Sequence, residues 1–362
     1  MKTKWLLVGW IPVLMAGIAL FNRCTTAQAV NVQPEAEPFK KLSEYRFFTG
    51  NLSELNPNEG VLPYDLNSPL FTDYAHKARF VWMPPGTAAN YAAETVLDFP
   101  TGAVLIKNFY YENDETDASK GRRIVETRLL VNTSKGWTAS TYVWNKEQTE
   151  AFLELTGETI PVEFVNANKE KISFKYSVPN RNQCKSCHNV DNAMMPIGPK
   201  VRNLNKIYAY ADGRKNQLDK WAEVGYLNGY NASKQHPKIA VWDDPSTGSL
   251  EDRAKAYLEI NCAHCHSEKG PANTSGLYLT TLNFDPNRWG ICKSPVAAGR
   301  GAGTAKVDVM PGHPDESILI YRMESDDPGV MMPEIGRRLV HKEGVALIRD
   351  WIASMPENRC GF

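Results

Sequence analysis

Val104-Leu105-Ile106-Lys107-Asn108-Phe109-Tyr110-Tyr111 is a run dominated by β-branched and aromatic residues. Such side chains fit a pleated, half-buried surface, so the run predicts a strand. Arg123–Val131, Trp137–Trp144, Ile160–Val165 and Lys171–Val178 read the same way. Asn113-Asp114-Glu115 and Asn132-Thr133-Ser134-Lys135-Gly136 supply turn material between them. Short strands at this spacing predict an antiparallel sandwich or barrel-like domain over 46–180. Within it, Glu147–Leu155 reads as a short helix. No phosphate-cradling glycine loop, catalytic triad signature or EF-hand is visible there.

Towards the N-terminus, residues 30–45 are polar and proline-bearing and read as a tether. Before them, Lys2 and Lys4 precede the apolar run Trp5–Phe21, followed by Ala27-Gln28-Ala29. A basic start, an apolar middle and an A-x-A site describe a secretory signal, with cleavage after Ala29. An uncleaved anchor holding the chain to a membrane is the rival reading. A lipid on Cys24 is the third, against which Arg23 stands where a small residue belongs. All three export the chain, to a periplasmic or other extracytoplasmic location. The 41 basic and 41 acidic residues cancel, and no Lys/Arg-rich run exists. A nucleic-acid partner is therefore not expected.

Towards the C-terminus the pattern turns helical. Residues 181–245 form a connecting segment with a helix expected around Asn216–Leu227, and Trp242–Gly248 reads as a boundary. In 246–362, Ser249 and Asp252 form a capping pair ahead of a helix over Arg253–Ile260. Pro314–Met323 reads as a second helix. Lys342–Met355 reads as the last, with Val345, Ile348, Trp351 and Ile352 on one face and Pro356 as its stop. The whole is an α+β multidomain chain.

Four of the seven cysteines fall into two pentapeptides. They are Cys184-Lys185-Ser186-Cys187-His188 and Cys262-Ala263-His264-Cys265-His266. C-x-x-C-H is the c-type haem attachment motif. Two thiols on one helical turn reach the two vinyl groups of one haem, and the adjacent histidine lies under the iron. A zinc ribbon would place its cysteine pairs about 15–20 residues apart, much closer than these. A thioredoxin-like pair needs a βαβ context and leaves both histidines idle. The motifs thus predict two covalent haem c groups on Cys184, Cys187, Cys262 and Cys265, with His188 and His266 as proximal iron ligands. Export and covalent haem attachment, an extracytoplasmic assembly step, support each other.

The chain after the leader is similar to a bacterial family of dihaem c-type cytochromes, some of them encoded beside a parallel β-helix repeat protein. The matching stretches include Ser68-Pro69-Leu70-Phe71-Thr72-Asp73-Tyr74, Glu126-Thr127-Arg128-Leu129-Leu130 and Pro196-Ile197-Gly198-Pro199-Lys200. The two motif segments from Asn182 and Asn261 and Met332-Pro333-Glu334 match as well. From Ser249 onward the layout resembles a small all-α class I cytochrome c domain. That resemblance implies electron transfer and places the distal methionine before the last helix, at Met332. Met331 and Met310 are the alternatives. For the first iron, Met195 follows His188 by seven residues, a reach of roughly 23 Å when extended. Met194, His76, His236 or an open sixth position are the other readings. Behind His266, the Pro271 carbonyl is the expected acceptor for the second ring nitrogen, unless Pro271 merely ends a helix.

Haem attachment consumes four cysteines and cleavage removes Cys24, leaving Cys292 and Cys360. An exported chain with two remaining cysteines predicts a disulfide between them, the alternative being two buried free thiols. The function expected is transfer of single electrons between redox donor and acceptor proteins through two haems. The alternatives are a dihaem peroxidase-like enzyme and a cytochrome subunit of a periplasmic dehydrogenase.

Overall fold

Six strands follow one another in chain order and pair antiparallel with their sequence neighbours. They are β1 Leu62–Tyr64, β2 His76–Trp82, β3 Val104–Glu112, β4 Arg122–Thr133, β5 Gly136–Trp144 and β6 Ala151–Glu154. The computed structural model describes residues 28–361. The export signal's apolar run and Cys24 lie outside the described residues. Among the described residues no helix is long and apolar enough to cross a membrane.

Alternation along each strand gives the sheet two apolar faces, and each needs a cover. On one face Phe80, Ile106, Leu129 and Tyr142 pack against Leu42, Tyr45 and Phe47. Residues 30–45 are therefore no tether. Leu42 and Tyr45 are buried, and the Tyr142 hydroxyl lies 2.9 Å from both the Phe39 carbonyl and the Tyr45 hydroxyl. Apolar residues spaced along a polar segment found a sheet face to cover.

The opposite face is covered in two places. At one end a separate hairpin, β7 Glu158–Val165 and β8 Lys171–Val178, lays Ile160, Val162 and Phe164 on Phe109 and Tyr111. At the other end Val81 and Leu105 pack with residues of two helices, α2 Val201–Leu204 and α3 Gln217–Glu223. The N-terminal region is thus an open meander with a partial second layer, not a closed barrel. The segment expected as a helix, Glu147–Leu155, contains β6 instead. Asn145 closes a turn by accepting from the Thr149 and Glu150 amides, and Ala151–Glu154 then pairs with the otherwise free edge of β5. An unpaired sheet edge outweighs the weak helical preference of so short a segment.

The remaining helices are α1 Arg181–Cys187, α4 Leu250–Cys262, α5 Ile318–Glu324 and α6 Lys342–Ala353. Ser249 and Asp252 cap α4 reciprocally: each side chain accepts the other's backbone N–H. The α6 face Val345, Ile348, Trp351 and Ile352 is buried against Ala254, Leu258 and Ile320. Gly344 allows α6 to cross α4 closely, since a Cβ there would lie 2.4 Å from the Tyr257 ring. The segment Pro314–Met323 divides into a 3-10 turn over Pro314–Glu316 and α5.

The helical part is stitched to the sheet. Asp73 accepts from the Arg338 and Leu339 amides at 2.6 and 2.7 Å. Cys292 and Cys360 are joined as a disulfide with Cα atoms 5.2 Å apart, closing the chain's end onto the loop before α5.

Candidate functional site

The first motif sits on α1. Asn180 and Gln183 form a capping box at its start, which anchors the single turn carrying Cys184 and Cys187. After His188 the chain reverses through Asp191 and Asn192, both at positive φ, and Asn189 pairs with Met194. Asp and Asn are the non-glycine residues that tolerate this backbone best. The reversal brings Met195 behind His188. The Met195 amide donates to the His188 carbonyl at 2.7 Å, and His188 Nδ1–H donates to the Met195 carbonyl at 2.8 Å.

That bond has two consequences. A carbonyl only accepts, so the proton sits on Nδ1 and Nε2 keeps its lone pair. It also holds the Met195 backbone behind the ring, on the side away from Nε2, whereas a distal ligand would approach from the other side. Met194 lies in the same hairpin, opposite Asn189. His76 pairs with Glu115 at 2.7 Å, and His236 binds the Tyr91 hydroxyl and the Asn231 carbonyl, each at 2.8 Å. Neither lines the cavity beside His188.

The second motif begins at the end of α4. The His266 amide donates to the Cys262 carbonyl at 2.8 Å, continuing the helical turn. Behind the ring stands Ser275, not the Pro271 carbonyl. His266 Nδ1 is 3.0 Å from Ser275 Oγ, whose own proton goes to the Ala272 carbonyl at 2.7 Å. With that proton committed, His266 Nδ1–H must be the donor, and Nε2 is again free. The loop is drawn in at Gly270, where a Cβ would lie 2.3 Å from the Cys265 carbonyl oxygen. The Ala272 amide then reaches that carbonyl at 3.0 Å, and the following turn carries Ser275 behind the ring.

Burial, followed by the Lys107 ammonium, pushes the His188 imidazole down to about 3. Burial, followed by Arg322 and Lys293, pushes His266 down to about 4. Both rings are neutral at physiological pH, the form that ligates a metal. The four motif cysteines form no disulfide. Burial raises all four, Cys262 and Cys265 to about 12. Among the described residues no group of three or more His, Cys, Asp or Glu is arranged to hold a bare ion.

Each motif opens on a cavity lined mainly by apolar atoms. Cys187, Cys262, His264, Met323 and Met332 line both cavities. Met331 and Met310 are buried but line neither. The loop bearing Met332 is held by Arg337, whose guanidinium donates to the carbonyls of Met332 at 3.0 Å and Ser325 at 2.8 Å. The Met332 amide donates to the Arg322 carbonyl at 2.9 Å.

Several residues of the site escaped the sequence reading. Ser275 and Arg337 lie in loops without periodicity. His264 lies inside the second motif, with its Nδ1 buried and unpartnered. Lys107 did leave a signal: it falls on the same strand face as Leu105 and Phe109. Register aligns it with Arg79 on β2, Arg128 on β4 and Thr141 on β5, a row across the floor of the first cavity. Burial, with Arg128 and Arg79 adding to it, pushes the Lys107 amine down to about 7. Comparison with family models, curated proteins and solved structures gives no match for this chain.

Proposed function

We propose that this chain is an exported dihaem c-type cytochrome that passes single electrons between redox proteins. One observation carries the reading: two C-x-x-C-H motifs, each with its histidine fixed as the Nδ1–H tautomer and its Nε2 free. The residues fit the group. Paired cysteines outside any disulfide suit thioether formation, neutral imidazoles suit an axial site, and apolar linings suit a porphyrin.

Bound haem supplies a one-electron iron couple; the rest is the protein's work. Cys184, Cys187, Cys262 and Cys265 anchor the two groups, and His188 and His266 donate from the proximal sides. Met332 would be the distal ligand of the second. Residues 246–362 then form a class I cytochrome c domain built on α4, α5 and α6. Residues 181–245 form the first haem segment, braced against the sheet. The wall common to both cavities supports a reading in which the two groups would lie close to each other. Periplasmic placement follows from the leader and from where haem is attached.

The test is an intact mass and a pyridine haemochrome assay on protein exported with haem-maturation machinery. Two haems per chain are expected. One haem or none overturns the reading.

A further inference from the structure

The first cavity holds three further features: the unpartnered His264 Nδ1, the aromatic group around His341, and the cationic row on the sheet floor. His341 is already engaged, stacked on Phe71 with ring centroids 4.1 Å apart and bonded to the Tyr257 hydroxyl at 3.0 Å. His264 belongs to the turn that anchors the second haem.

Two of the row's three cations are satisfied. Arg79 pairs with Asp65 at 2.8 Å, and Arg128 donates to Glu126 at 3.0 Å. Lys107 lies between them and has neither partner. Among the described residues its Nζ meets no carboxylate and no carbonyl, only the Phe109 ring at 5.2 Å. A primary amine in a low-dielectric cavity without a partner is costly to keep. Its position removes the cost if something in the cavity accepts its lone pair. The cavity it lines is the one onto which Cys184, Cys187 and His188 open. The ligand expected from the sequence, Met195, is tied behind His188.

We propose that the Lys107 amine is the sixth ligand of the iron held by His188. This rests on the dihaem reading above. The neutral amine donates its lone pair to iron, and one proton leaves to solvent for each Lys107 bound. Strand β3 is a rigid mount for such a ligand. Its register with β2 and β4 places Arg79 and Arg128 on either side, where the two guanidinium charges favour the neutral amine. The first haem would then be closed to small ligands, which makes it a carrier site and not a peroxidase site.

Low-temperature EPR and near-infrared magnetic circular dichroism of the oxidised full-length protein read the ligands directly. The native protein should show one low-spin haem with a histidine–thioether signature and one with a histidine–amine signature. Lys107→Ala should retain two haems by mass, turn one haem high-spin, and let one ferrous haem per chain bind CO. Lys107→Arg should behave like the alanine variant, because a guanidinium stays protonated and cannot ligate. Lys107→Met should convert that haem to a second thioether signature with a raised potential. The proposal is overturned if Lys107→Ala or Lys107→Arg leaves both haems low-spin, or if the native protein shows two thioether or any bis-imidazole signature. A bis-imidazole signature lost in His264→Ala would reassign the ligand to His264. A native haem count below two would instead defeat the dihaem reading itself, before any ligand is assigned.

Discussion

The Asp191 amide donates to the Lys269 carbonyl at 2.9 Å. Each residue is the third after its motif's histidine, so one backbone hydrogen bond joins the loops leaving the two C-x-x-C-H turns. Cys187 of the first motif lines the second cavity as well as its own. Two separately built halves, one resting on a sheet and one on a helix pair, are brought edge to edge there.

The Ser275 hydroxyl is the acceptor that fixes the His266 tautomer. Ser275→Ala removes it and weakens the electron donation of the imidazole to iron. The potential of the second haem should rise while that of the first stays put. Loss of the hydrogen bond should also cost about 1 kcal/mol of stability. A spectroelectrochemical titration resolves the two haems, and an unshifted second potential would contradict the assigned role.

Met332 is the thioether of the last loop that lines both cavities. Replacing it with Ala should open the second haem to CO, and replacing it with His should lower that haem's potential. The sulfur-to-iron charge-transfer band is the readout. Its persistence in Met332→Ala would transfer the role to Met323, which lines the same space.

Glu259 lies buried between the sheet and helical parts, 2.6 Å from the Arg202 guanidinium and 3.2 Å from Lys200 Nζ. Burial raises its carboxyl, but Lys200 and Arg202 outweigh this and hold it at about 2, below its ordinary 4.5. A carboxylate depressed in the folded state adds stability above its unfolded value and loses it as pH falls through the folded one. Acid destabilisation should therefore develop between these two values. Glu259→Gln should cost about 3 kcal/mol at neutral pH by leaving the two cations unpaired, and should flatten the acid limb. Urea unfolding across pH 2 to 7 measures both effects.

The Cys292–Cys360 disulfide closes a loop with a sequence separation of 68. Loop entropy assigns it roughly 4 kcal/mol at most. Thiol titration of the unreduced, unfolded, haem-loaded protein should find neither of these two cysteines reactive. Cys360→Ser should lower the unfolding midpoint with little effect on either haem potential.

Much of the local architecture is legible along the chain because it is set by neighbours in sequence. The strands around 104–144 follow from β-branched and aromatic runs, the start of α4 from Ser249 and Asp252, and the buried α6 face from its helical spacing. The two motif pentapeptides and the parity of the cysteines belong to the same class. What lies behind each histidine does not. The Met195 carbonyl behind His188 and the Ser275 hydroxyl, in place of the Pro271 carbonyl, behind His266 depend on how a turn closes in three dimensions, through left-handed residues in one case and Gly270 in the other.

The sequence by itself determined which residues can carry the chemistry, since thiol spacing, capping and strand alternation act within a few residues of one another. Only the tertiary structure decided which of them meet. Lys107 became a member of the first site when β2, β3, β4 and β5 settled into one register, a choice that a shift of a single residue would reverse. The apolar residues of 30–45 became a sheet cover, and Glu147–Leu155 an edge strand, because an exposed sheet face and an open sheet edge supplied partners that no local preference could foresee.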